Sequence, residues 1–431
     1  MTPGSKAAAT RVAPVTCLGC GCACDDLTVQ VEGGQIVDIS PPCPLGRAWF
    51  GDGRVPSRVL LDGRDSSLES ALDEAAGLLA GARERLVVVL APDASSQTQR
   101  TTLALADLLR ASVDTATSEP AAAGLLTAQR RGRAAATLGE IRNRADVVMF
   151  WGVDPALHYP RYLSRYAVDP IGTHVSAGRA GRTLISVSIG ADRGPAGAEI
   201  ALTLAPDAEV TALSIMRAVA LGNPLGELPA ALQSVADAAA RLVKARYAAV
   251  VHDAEPGEEP SRDAYRTEGL IALTQALNGP TRAALSSLRA GGNRSGAEAA
   301  LTWQTGYPMA VSFRPGYPRY TPTRRGLAEL SAGEASALLV VGSTAELGGG
   351  LAEVAVKTDV VVIGPRASET AFPTRVAIDT GMPGIHEGGT GYRMDEVPLP
   401  LRPPLGGLRT GTETMAALLA AVQARVAGTG A

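Results

Sequence analysis

The sequence predicts an α/β protein of several domains that opens with a small cysteine-bearing β unit. Three observations predict it. Short, fully apolar runs alternate with helix-period stretches, which is the pattern of parallel strands covered on both faces by helices. The 431-residue chain is 46% hydrophobic but only 4% aromatic, which suits tightly packed helices on buried strands. All five cysteines lie before Trp49.

Taken in order, residues 15–50 read as the β-rich unit. Leu27 to Val31 alternate in polarity, Gly33-Gly34 supplies a hairpin turn, and Gln35 to Ile39 form the return strand. From about residue 59 the expected strands are Leu86–Leu90, Val147–Trp151, Leu184–Val187, Ala248–Val251, Leu338–Val341 and Val360–Ile363. Helical periodicity covers Leu68–Leu79, Thr98–Leu109, Ala208–Ala220 and Ala230–Val243, with Ser95-Ser96-Gln97 offering an N-cap to the second. Gly- and Pro-rich stretches at 189–197, 254–260 and 314–323 mark loops or boundaries. Pro383 to Pro404 reads as an extended loop, and Thr412 to Arg425 as a closing helix.

A chain of this length exceeds what one core usually serves, so two or three domains are expected. Net charge is −3 with the signs interspersed, so no basic field attracts nucleic acid. Met1 to Pro14 is polar, and no run reaches the ~18–20 apolar residues of a membrane span. The expectation is a cytoplasmic protein with reduced thiols.

Cys17, Cys20 and Cys24 follow the spacing C-x2-C-x3-C, and Cys43 stands after the hairpin and before Pro44. A tight loop giving three thiolates, with a distant fourth before proline, suits a [4Fe–4S] cluster. Zinc also accepts four thiolates, and Cys22 offers an alternative ligand. The bland alternative is a set of inherited, unmetallated thiols.

Specific strings carry a resemblance. "CLGCGCACDDLTV" at 17–29 looks like a cluster loop running into a first strand. "TLGEIRNRADVVMFWGVDP" at 137–155, "HYPRYLSRY" at 158–166 and "GGNRSGA" at 291–297 add to it. So do "WQTGYPMAVSFRPGYPRYTP" at 303–322 and "GIHEGGTGYRMDEVPLPLR" at 384–402. In this order they resemble the molybdopterin-oxidoreductase-like B subunits of formylmethanofuran dehydrogenases, and among those the B subunit of bacterial formyltransferase/hydrolase complexes. The resemblance implies a Cys-rich β domain at 15–58 and two Rossmann-like domains, at 59–145 plus 323–410 and at 146–322, with a final helix at 411–431. It also implies that Gly152, His158, Arg161 and Arg165 descend from a pterin-gripping region. The bland readings are a simple turn at Gly152, and surface ion pairing or a subunit contact for the other three.

The chain also departs from the family. Its tungsten or molybdenum is held by a cysteine or selenocysteine in the segment aligning with 117–124, where this chain has no sulfur, and Ser118 is the nearby oxygen donor. Ser186 and Ser188 stand where relatives carry a nucleotide-binding acid, and Gly342-Ser343-Thr344 replaces an acid-proline pair. The resemblance with these losses implies no catalytic residues and no bound pterin. The expected role is structural, beside A, C and D subunits that convert formyl-tetrahydromethanopterin to formate through formylmethanofuran in formaldehyde oxidation. The alternatives are an active molybdenum or tungsten dehydrogenase subunit interconverting CO2 and formylmethanofuran, and an iron–sulfur electron-transfer module.

Overall fold

The computed structural model describes residues 9–255, 263–324, 328–345, 347, 353 and 355–428. Most of the loop expected at 254–260 lies outside the described residues. The chain forms two compact units: unit 1 comprises 1–19, 23–119 and 291–431, and unit 2 comprises 20–22 and 120–290.

Unit 1 begins with β1 (Thr10–Val15), β2 (Leu27–Glu32) and β3 (Gln35–Ser40), which make a three-stranded antiparallel sheet. The β2–β3 turn is Gly33-Gly34, both with positive φ (57° and 77°), a two-residue connection that matches the twist of the strands it joins. The chain continues through β4 (Val59–Leu61), β5 (Arg64–Asp65), β6 (Leu86–Leu90) and β7 (Ser112–Thr115). Unit 2 then contributes β8 (Val147–Trp151), β9 (Thr183–Ile189), β10 (Ile200–Leu204), β11 (Ala248–Asp253) and β12 (Ala283–Leu288). The chain returns to unit 1 with β13 (Val311–Ser312), β14 (Arg319–Tyr320), β15 (Ala337–Val341), β16 (Asp359–Gly364) and β17 (Val376–Asp379), then β18 (Gly389–Tyr392) and β19 (Pro398–Leu401).

The main sheet of unit 1 has the order β14-β13-β7-β6-β15-β16-β17-β4-β5. Its centre, β7 to β17, is parallel, while β13, β14, β4 and β5 pair antiparallel at the two edges. The expected parallel sheet is therefore mixed in this unit. Its core gathers Leu86, Val88 and Leu90 from β6 with Leu339 and Val341 from β15, and with Met415, Leu418 and Val422 of the C-terminal helix Gly411–Gly428.

The sheet of unit 2 is wholly parallel, in the order β10-β9-β8-β11-β12. Every residue of β8 is buried, as its unbroken apolar run requires. The helices Glu209–Ala220, Ala230–Val243 and Asp263–Leu277 bury Ala, Leu and Met side chains in this unit's core.

One expectation is corrected. Pro383 to Pro404 is not an irregular loop, because it contains the β18–β19 hairpin. Alternate side chains of β19 are buried, Leu399 and Leu401, and they cluster with Leu18 and Ala23. The prolines at 398 and 400 occupy the exposed positions of a two-stranded edge, where a missing amide costs least.

Candidate functional site

The segment from which a metal ligand would come begins the helix Ser118–Arg131, directly after β7. The Ser118 hydroxyl donates to Asp114 Oδ2 at 2.7 Å, while Asp114 Oδ1 accepts from the amides of Thr115 (2.8 Å) and Ala310 (3.0 Å). Asp114 and Ser118 are both buried. With its other oxygen taken up by two amides, the Asp114 carboxylate fixes where the serine proton points. Ser118 is thus engaged within the protein and would have to surrender this bond to ligate a metal.

At the end of β15, Gly342-Ser343-Thr344 meets an acid from the turn after the neighbouring strand. Asp93, in the turn that follows β6, is buried and accepts from the Ser343 amide at 2.7 Å. Burial pushes its carboxyl above the ordinary carboxylate range, against the pull of the Ser343 bond. Gly342 is required here: its φ is +111° and a Cβ would lie 2.5 Å from Asp93 Oδ1.

A third polar cluster in unit 1 surrounds Glu387. Its Oε1 accepts from Ser95 (2.6 Å), Thr98 (3.0 Å) and Thr412 (2.8 Å), and its Oε2 from the Gly411 amide (2.7 Å). One buried carboxylate thereby joins the N-termini of the helices Ser96–Leu108 and Gly411–Gly428, where negative charge is favourable. Beside it, His386 accepts the Met382 amide at Nδ1 (3.2 Å), so Nε2 carries the proton and donates to Gly53 O (2.7 Å). The "HEGG" string is a structural joint.

In unit 2, of the residues named from the pterin region, His158 acts by its charge on Asp253 and Arg161 by its charge on Cys20. Gly152 follows β8 with φ +61°, and its amide donates to Val187 O at 2.8 Å, where the chain bends away from the sheet. His158 is exposed, and Arg165 lies over the Tyr166 ring at 5.0 Å. Tyr159, unmarked by the sequence, is buried, and its hydroxyl donates to Asp253 at 3.0 and 3.2 Å. Burial raises Asp253 to about 6. Next to it, His252 Nε2 meets Ser287 Oγ at 2.8 Å, and burial holds this imidazole down at about 4. At the end of β9, Ser188 accepts the Gly194 amide (3.1 Å) and Gly194 passes close over Ser186.

The cysteines divide between the units. In unit 1 the Gly19 amide donates to Cys17 Sγ at 3.3 Å, and Cys17 N donates to Cys24 O at 2.9 Å. A Cβ at Gly46 would sit 3.7 Å from Cys17 Sγ and 3.5 Å from Cys43 Cβ, so these two cysteines come together where a glycine keeps room beside sulfur. In unit 2 the Cys20–Cys22 tip is tied by Gly21 N to Arg289 O at 3.1 Å. A hydrogen bond with Cys22 lowers the Cys20 thiol, against burial, and the Arg161 charge adds to that effect. All five cysteines are buried and none is in a disulfide. Among the described residues no three His, Cys, Asp or Glu side chains are arranged to hold a metal. The amide-to-sulfur bond and the clearance at Gly46 suit a thiolate centre, but the full ligand set is not assembled.

Among the described residues no helix is long and apolar enough to cross a membrane.

A scan against protein-family models finds no match. The chain is 33% identical over 422 residues to the B subunit of the tungsten-containing formylmethanofuran dehydrogenase 2 of Methanocaldococcus jannaschii, covering 91% of this chain and 94% of the relative. It is 31% identical over 406 residues to the protein of the same description from Methanococcus maripaludis, covering 90% and 92%. The B subunit of the formyltransferase/hydrolase complex of Methylorubrum extorquens is 28% identical over 330 residues, covering 76% and 86%. In structure, the chain is similar to one from the crystal structure of that Methylorubrum complex with methylofuran: TM-score 0.71, 23% identity, 86% of this chain and 99% of that one. With a third of its residues identical to a relative matched along nearly its whole length, this chain belongs to the family of formylmethanofuran dehydrogenase B subunits.

Proposed function

We propose that this chain is a non-redox framework subunit of a cytoplasmic formyltransferase/hydrolase complex, in which A, C and D subunits complete the conversion of formyl-tetrahydromethanopterin to formate. By this reading hydrolysis belongs to the A subunit and formyl transfer to the D subunit. The observation that carries it is the Ser118–Asp114 bond of 2.7 Å, in a segment with no sulfur donor. Tungsten and molybdenum in pterin enzymes favour a soft or freely available ligand, and a hydroxyl already donating to a buried carboxylate is neither. The proposed metal at Cys17, Cys20, Cys24 and Cys43 is a structural [4Fe–4S] cluster, with zinc as the alternative. The test is elemental analysis and pterin extraction of the complex isolated with its partners. Tungsten and molybdenum far below one per chain are expected, whereas one metal per chain with formate-linked dye reduction would overturn the reading.

A second reading has support of its own, since identity to the tungsten-containing dehydrogenase subunits (33% and 31%) exceeds that to the formyltransferase/hydrolase subunit (28%). In that reading the chain is an active dehydrogenase subunit whose metal takes Ser118 or solvent as its ligand. The same metal measurement separates the two.

A further inference from the structure

In an open parallel sheet, ligands bind at the carboxyl ends of the strands where the strand order reverses. In unit 2 that place is the end of β8, which has β9 on one side and β11 on the other. Gly152 removes any Cβ there, and the helices Glu209–Ala220 and Asp263–Leu277 start with Glu209 and Arg266 in their first turns. A phosphate would ordinarily find amides and positive charge at such a place.

The protein's own side chains already hold it. Arg266, on the second of these helices, pairs through Nη1 with Asp192 Oδ2 at 2.8 Å and through Nε with Glu209 Oε1 at 2.6 Å. Trp151, the last residue of β8, donates its indole N–H to the same Glu209 oxygen at 2.8 Å. The three charged side chains are only 9%, 12% and 3% exposed. A Cβ at Gly152 would lie 3.4 Å from Asp192 Cβ and 3.5 Å from Arg266 Nη1, so the group sits directly on the glycine. On β11 the Tyr159–Asp253 bond closes the adjoining strand end in the same manner.

We propose that Asp192 and Glu209 serve as a built-in anionic ligand for Arg266, occupying the place of a nucleotide's phosphates and closing this crevice to them. Nε, Nη1 and Nη2 of the one guanidinium all meet carboxylate oxygens, which take the donors a phosphate would use and repel it by their like charge. This deepens the framework reading, but it is tested without reference to metal content or turnover.

The experiment is a thermal melt of the full chain with inorganic pyrophosphate at millimolar concentration, against chloride at matched ionic strength. Wild-type protein is expected to show no saturable shift. Asp192→Asn, which removes one negative charge and keeps the side-chain volume, is expected to bind pyrophosphate at least about tenfold more tightly than wild type. If that variant does not accumulate folded, Glu209→Gln, whose amide oxygen still accepts from Trp151, answers the same question. Saturable stabilisation of wild type that Arg266→Gln abolishes would overturn the proposal, and so would folded carboxylate variants as unresponsive as wild type. Either result leaves the metal content free to decide the framework reading separately.

Discussion

The Ser118 hydroxyl donates to Asp114 Oδ2 across 2.7 Å in a buried setting, and this bond commits the serine oxygen at the start of the helix Ser118–Arg131. Hydrogen bonds to charged groups contribute about 1.5–3 kcal/mol. Ser118→Ala is therefore expected to lower stability by about 2 kcal/mol in urea unfolding, and to leave formyl turnover of the intact complex unchanged. A variant of full stability but failing turnover would return Ser118 to the chemistry.

Glu387 gathers three hydroxyls and one amide. Glu387→Ala removes the common acceptor and opens a cavity, with an expected loss of about 3 kcal/mol. Ser95, Thr98 and Thr412 also lie within hydrogen-bond distance of one another, so some of the freed hydroxyls pair again and limit the loss. Glu387→Gln should fall between, as read by melting temperature.

His252 and Asp253 oppose each other in pH dependence. The imidazole stands at about 4 in the folded protein, below its ordinary 6.5, so its neutral-state stability is lost as pH falls from 6.5 towards 4. The Asp253 carboxyl stands at about 6, above its ordinary 3.8, so the folded state gains a proton first and is favoured as pH falls from 6 towards 4. The two effects largely cancel in the shared window. Asp253→Asn should expose the histidine alone, with stability falling by about 1.4 kcal/mol per pH unit between these limits. His252→Gln should do the reverse and gain stability on acidification. Unfolding free energies measured from pH 7 to pH 4 check both, and parallel profiles for the two variants would contradict the assignment.

Cys17 tests the thiolate centre. Cys17→Ser is expected to reduce bound iron or zinc and to lower the melting temperature by several degrees, because metal binding energy contributes to folding. Visible absorption bleached by dithionite distinguishes a cluster from zinc. A variant that retains both metal and melting temperature would remove Cys17 from the ligand set.

Much of the strand framework was legible because burial on both faces writes itself as an apolar run. Leu86–Leu90 and Val147–Trp151 are strands over the very residues that periodicity marks. Ser112–Thr115 and Ala283–Leu288 were not legible, because SVDT carries a single apolar residue and AALSSL has no β-branched residue. Their place is fixed by pairing with β6 and β11. The cysteine spacing was plain in the sequence, but its division between two units was not. Nor could Asp192, Glu209 and Arg266 be seen as one cluster, since only the return of two helices to the end of β8 joins them. An acid at or just past the end of a strand, as in Pro92-Asp93 or His252-Asp253, was the available signal for these carboxylates.

The discontinuity of unit 1 bears on how the chain is made. β6 pairs with β15, Val89 opposite Val340, yet all of residues 120–290 is synthesised between them. A ribosome therefore releases the five-stranded sheet of unit 2 whole while β6 still shows an unpaired edge, the kind of surface on which nascent chains aggregate. Folding of the insert pairs Ala135 with Leu285, near its two ends, and so shortens the flexible connection whose entropy is lost when β15 arrives. Substitutions that weaken the unit 2 core are thus expected to lower the yield of folded unit 1 as well.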